Sequence, residues 1–145
     1  MSRIKAITAI IAGALTLAAC CGGNDSAALQ GTWNIETMTG IDNVKAAWKQ
    51  PSISFDTAES TYSGVAGANL LNGGYKAKDG SISFGDAAMT RMMADSITMV
   101  IERRYVELLS EVNKYQFGED GCLILSNEDG SQSITLSKQS EEIAE

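Results

Sequence analysis

The sequence predicts an α+β fold: a curled, mostly antiparallel sheet or partial barrel with one amphipathic helix packed on it. Three observations predict it. Short runs with period-2 alternation recur along the chain, and turn residues separate them. A single segment, Ser96 to Lys114, switches to the three-and-four spacing of a helix.

The first segment stands outside that fold. Arg3 and Lys5 precede an apolar stretch, Ala6 to Ala19, that ends in Leu17-Ala18-Ala19-Cys20. The stretch is too short to cross a hydrocarbon core of roughly 30 Å, which takes about 20 residues. Its basic and apolar regions are those of an export signal. A thiol directly after the small residues marks a bacterial lipoprotein, in which Cys20 is acylated and becomes the first mature residue. One acyl chain anchors only marginally, so stable attachment needs two or more. Acylation of Cys21 would leave Cys20 just before the cut, and the position of Leu17 favours Cys20. The expected organisation is a signal peptide over 1–19, a flexible lipid-anchored tether over 20–28, a folded domain over 29–138 and a polar tail over 139–145.

Within the domain, Thr32 to Met38 alternates with Trp33, Ile35 and Thr37 on one face. Ser52 to Asp56 follows Pro51, and Ile53 and Phe55 point one way. Thr61 to Ser63 forms a short third strand. Gly74 to Lys78 and Ser81 to Phe84 flank Asp79-Gly80, a pair suited to a type I′ hairpin. In the helix, Ile97, Val100, Ile101, Tyr105, Leu108, Leu109 and Val112 make the apolar stripe. Asp95 or Ser96 can cap its start. Glu102, Arg103, Arg104, Glu107 and Glu111 are expected on the solvent face, with Arg103 and Glu107 one turn apart. Tyr115 to Phe117, Cys122 to Ser126 and Gln132 to Ser137 then form a meander, turning at Glu119-Asp120-Gly121 and Glu128-Asp129-Gly130.

Composition removes several function classes. Eleven basic and eighteen acidic residues give a net charge of −7, and without Arg3 and Lys5 the exported part carries −9. Such a chain repels phosphate backbones, so nucleic acid is not an expected partner. It offers anionic head groups no polybasic patch, so membrane attachment would rest on the lipid. Histidine is absent from the chain. Ser-His and Cys-His nucleophile pairs are therefore impossible, as is the commonest zinc ligand. No catalytic residue, metal site or cofactor is expected. If Cys20 is acylated, Cys21 and Cys122 remain and could pair after export. Cys122 sits in the run Cys122-Leu123-Ile124-Leu125 and is expected as an unpaired core thiol. Met89, Met92, Met93 and Met99 are soft ligands that suit copper(I), although filling a gap between helix and sheet is the simpler role.

Several short motifs fall in a familiar order. Leu29-Gln30-Gly31-Thr32-Trp33, Pro51-Ser52-Ile53-Ser54-Phe55-Asp56, and Ser63-Gly64-Val65-Ala66-Gly67-Ala68-Asn69 continuing to Gly73 and Tyr75 are followed by Thr90-Arg91-Met92-Met93-Ala94. Glu102, Leu109, Val112 and Tyr115 complete the series. Together they resemble the META-domain family of HslJ-like bacterial heat-shock and envelope lipoproteins. The family usually has cysteine where this chain has Ala68, and often where it has Ala94, so a required redox or metal role for that pair is not expected here. The resemblance also marks Gly64, Gly67, Asn69, Gly73 and Tyr75 as a candidate contact loop, weighed against a purely structural role. It implies a non-enzymatic, membrane-anchored envelope protein that supports stress tolerance through contacts with an envelope protein partner. The expected location is the outer membrane, facing the periplasm. The alternative is a carrier of an apolar small molecule or lipid in the open end of the curled sheet.

Overall fold

The computed structural model describes residues 25–139. The expected signal peptide, Cys20, Cys21 and residues 140–145 of the expected tail lie outside the described residues. Asp25 caps a 3-10 turn, Ser26–Leu29, by accepting from the Ala27 amide at 3.0 Å. The last residues of the expected tether therefore belong to the fold.

The elements are β1 (Gly31–Met38), β2 (Ser52–Asp56), β3 (Thr61–Val65), β4 (Leu70–Lys78), β5 (Ser81–Phe84), β6 (Ala88–Met89), α1 (Ser96–Glu111), β7 (Lys114–Phe117), β8 (Leu123–Ser126) and β9 (Ser133–Lys138). Neighbours run β3-β2-β1-β9-β8-β7-β5-β4, and β4 pairs again with β3. The expected partial barrel is thus a closed eight-stranded antiparallel barrel. β6 continues in line with β5 along the first part of β4. Closure depends on pairings between β1 and β9 and between β5 and β7, whose partners are distant in sequence.

Trp33, Ile35, Ile53, Phe55, Leu71, Ile82, Tyr115, Leu123, Leu125, Ile134 and Leu136 are all buried. An eight-stranded barrel is just wide enough for side chains to fill. The Trp33 indole donates to the Leu29 carbonyl at 2.9 Å, which ties the 3-10 turn to the core. Phe55 and Tyr75 meet edge to face with centroids 5.0 Å apart.

In β1, the expected face breaks after Ile35. The pairing with β9 shifts between Ile35 and Thr37, so Met38 is buried and Thr37 exposed. A bulge re-aims the side chains beyond it, which local alternation does not reveal. Asp79 and Gly80 have φ of 50° and 91°, the two positive values a type I′ turn requires. Gly73, expected in a loop, lies inside β4. Cys122 is half-buried just before β8 rather than in the core. A hydrogen bond with Asp120 pushes its thiol pKa up, and burial adds to this.

α1 packs on the barrel, with Ile101, Tyr105, Leu108 and Leu109 joining its core. The Tyr105 phenol, fully buried, donates to the Ser52 carbonyl at 2.8 Å. The helix ends before the expected Lys114, because Val112 already has extended backbone while its amide closes the last turn on Leu108. Its rotation also differs from the expected one. Thr98, Ile101, Glu102, Tyr105, Leu108 and Leu109 face inward, whereas Ile97 and Val100 are 56% and 53% exposed. The ion pair on its surface joins Arg104 to Glu107 at 3.2 Å.

Asp95 caps α1, its carboxylate accepting from the Thr98 amide at 2.7 Å and from the Trp48 indole at 2.8 Å. The Thr98 bond, foremost, holds the Asp95 carboxyl below its ordinary range. A depressed carboxyl contributes stability above its unfolded pKa of about 4 and loses it as pH falls through the folded value. Asp95→Ala should therefore lower Tm at neutral pH. The gap to the native chain should narrow below about pH 4, as read by circular dichroism melts.

Candidate functional site

The most unusual group in the core is the Glu102 carboxylate, which is only 6% exposed. It accepts from the Ala68 amide at 2.7 Å, the Asn69 amide at 2.6 Å and the Asn69 side-chain amide at 3.0 Å. A carboxylate that collects several N–H donors can be buried where an isolated one cannot. Asn69 then turns to the next segment. Its Oδ1 accepts from the Thr90 hydroxyl at 2.9 Å and the Met92 amide at 2.6 Å, and its Nδ2 also donates to the Met92 carbonyl at 3.1 Å. One acid on the helix thereby fixes the β3–β4 loop and the strap formed by residues 90–92.

Local geometry makes this approach possible. Gly67 has a φ of 144°, and a Cβ there would lie 3.2 Å from both Glu102 Cγ and Thr98 Cγ2. The Thr98 hydroxyl accepts from the Trp48 amide at 3.1 Å, joining a third segment to the same helical face.

Of the candidate contact loop, Asn69 belongs to this cluster. Asn69 is 4% and Tyr75 7% exposed, and Gly67 is buried. Gly64 and Gly73 are half-buried, each close to backbone of a neighbouring segment. Asn69, Tyr75 and Gly67 are thus largely buried, whereas Gly64 and Gly73 keep part of their surface exposed. Glu102, expected on the solvent face, is the centre of the cluster. Its signal was present in the sequence: it lies between Ile101 and Tyr105, inside the apolar stripe.

Outside this cluster the strap and the helix bound an open groove of about 740 Å³. Met89, Met92, Met93 and Met99 all line it, with Arg91 on the strap and Arg103 on the helix. Met92 and Met93 are 54% and 79% exposed, so they do not fill a gap beneath the helix. Met89 alone of the four packs against the core. A smaller hollow of about 340 Å³ lies on the other flank of the helix, lined by Ile41, Ile97 and Val100 among others. Among the described residues no group of three or more His, Cys, Asp or Glu side chains could hold a metal, and no helix is long and apolar enough to cross a membrane.

The META domain profile matches residues 27–140, almost the whole described chain. The chain belongs to the META family. No protein of curated function matches it significantly. Solved structures share the fold of this META domain, two of them as follows. A Burkholderia xenovorans protein, solved by NMR, is 22% identical over 80% of this chain and 88% of its own, with a TM-score of 0.64. A DUF4847 family protein from Bacteroides vulgatus is 16% identical over 83% of this chain and 100% of its own, with a TM-score of 0.56. At those identities the likeness concerns architecture alone. Within this META domain, Ala68 and Asn69 of the Ser63–Tyr75 motif are hydrogen-bonded to Glu102.

Proposed function

We propose that this META protein is a lipid-anchored component of the bacterial envelope that supports stress tolerance through protein contacts rather than catalysis. Family membership supports an envelope or stress-related role. The observation that carries contact over catalysis is the set of exposed apolar side chains at and beside the N-terminal end of α1. Trp48, Ile97 and Val100 are each more than half exposed on a strongly acidic chain. Ile97 and Val100 line one hollow, exposed apolar surface of this kind marks interaction sites, and tryptophan is a frequent anchor of such sites. The chain has no histidine to serve as base, and the carboxylates of Asp56, Asp95, Glu102 and Asp129 are engaged with backbone amides.

The anchor is assigned to Cys20 and the site of action to the outer membrane facing the periplasm. Metabolic labelling with a palmitate analogue is expected to mark the native chain, and Cys20→Ser to abolish the label and release the protein from the membrane fraction. Photo-crosslinking from position 97 in living cells should trap one protein partner, with position 76 on the barrel wall as the control. Labelling equal at both positions, or none at 97, would discard the contact reading.

A further inference from the structure

The geometry points to the methionine groove as a binding site for a single-chain anionic amphiphile, a long-chain carboxylate. Its size is suited to one such molecule. The helical wall from Met99 to Ser110 is about 16 Å long at roughly 1.5 Å per residue. That is about half of a hydrocarbon core of roughly 30 Å, the length of one acyl chain. The volume of about 740 Å³ falls within the range of small-molecule pockets, about 300–1,000 Å³. Methionine side chains are unbranched and polarisable, and they adapt to a flexible chain as rigid side chains do not.

Charge selects the head group. Arg91 and Arg103 stand one on each wall, and neither has an ion pair or hydrogen bond with another described residue. Two carboxylates share the groove, and both are engaged. Glu102 accepts from Ala68 and Asn69, and Glu107 pairs with Arg104. Two unpaired guanidinium groups beside thioethers, in a chain of net charge −7, form a place for an anion with an apolar tail. The same charges work against a copper(I) ion at the methionines.

The strap favours a small amphiphile over an added peptide strand. The Met92 amide and carbonyl are taken by Asn69, and the Thr90 amide by the Leu70 carbonyl. Backbone partners are therefore scarce along this wall, and side chains must do the binding. The site goes beyond the protein-contact reading, whose surface includes Ile97 and Val100 on the other flank of α1.

The test uses the chain from Gly22 onward, which keeps every barrel strand, the helix and the whole core. With methionine methyls labelled with carbon-13, Met38, buried at 4% exposure, reports on the fold, and the other four report on the groove. Dodecanoate below its micelle concentration should shift the groove methyls saturably and leave Met38 in place. The double variant R91Q/R103Q should weaken dodecanoate about tenfold or more, with dodecanol binding unchanged and Met38 still native. Each single variant should show part of that loss. Absence of a saturable shift, or equal binding of dodecyltrimethylammonium, would overturn the assignment. So would a response to silver(I) alone, or to an acidic amphipathic peptide and not to dodecanoate.

Discussion

Glu102→Ala is expected to destabilise the domain by about 3 kcal/mol, since each buried donor left without its acceptor costs about 1–3 kcal/mol. That would be a large share of a total stability of about 5–15 kcal/mol. The loss comes from the partners left behind. The Ala68 and Asn69 amides would lose their acceptor in the core, and the Asn69 side chain would lose the group that orients it. Glu102→Gln keeps the volume, but its amide nitrogen would oppose N–H donors unless it turned away. An intermediate loss is expected for it. Urea unfolding followed by tryptophan fluorescence provides the comparison. An alanine variant within about 1 kcal/mol of the native chain would show that the carboxylate does not hold the loop.

The second large effect is expected at Gly64. A Cβ there would lie 2.2 Å from the Ser52 carbonyl oxygen, and the obstacle is backbone of the paired strand. No rotamer change relieves such a clash, so Gly64→Ala must spread β2 from β3 or bend one of them. The expected loss is about 3 kcal/mol, at the upper end of typical overpacking costs. Gly121→Ala is the contrast: its φ of 86° is unfavourable for alanine, but nothing lies within 4 Å of the added methyl. About 1 kcal/mol is expected there. Equal losses at the two sites, measured by the same urea unfolding, would mean that the close strand approach at Gly64 is not limiting.

The contrast between strands and closure shows what the sequence made legible. Period-2 runs located most of the strands, and Asp79-Gly80 specified its turn, because both signals come from neighbouring residues. Ring closure was not legible, since Ser81 meets Lys114 and Trp33 meets Lys138 across long stretches of chain. The bulge after Ile35 was hidden because Thr37 continues the alternation. In the helix, hydrophobicity placed Ile97 and Val100 inside and Glu102 outside. The structure reverses all three, because the amides of Ala68 and Asn69 provide the inward face with a reason to hold an acid. A loop's demand for an acceptor cannot be read from the helix that answers it. The methionines were legible as a cluster, but their exposure and the arginines beside them required the fold.

The ring is unevenly closed, and this has a mechanical consequence. β1 and β9 share five register positions across their seam, whereas β5 and β7 share one, Ser81 with Lys114. The barrel is therefore a bracelet with a broad hinge and a narrow clasp. Any large opening of the wall is directed to the clasp, where two self-contained meanders can part while each keeps its own ladder intact.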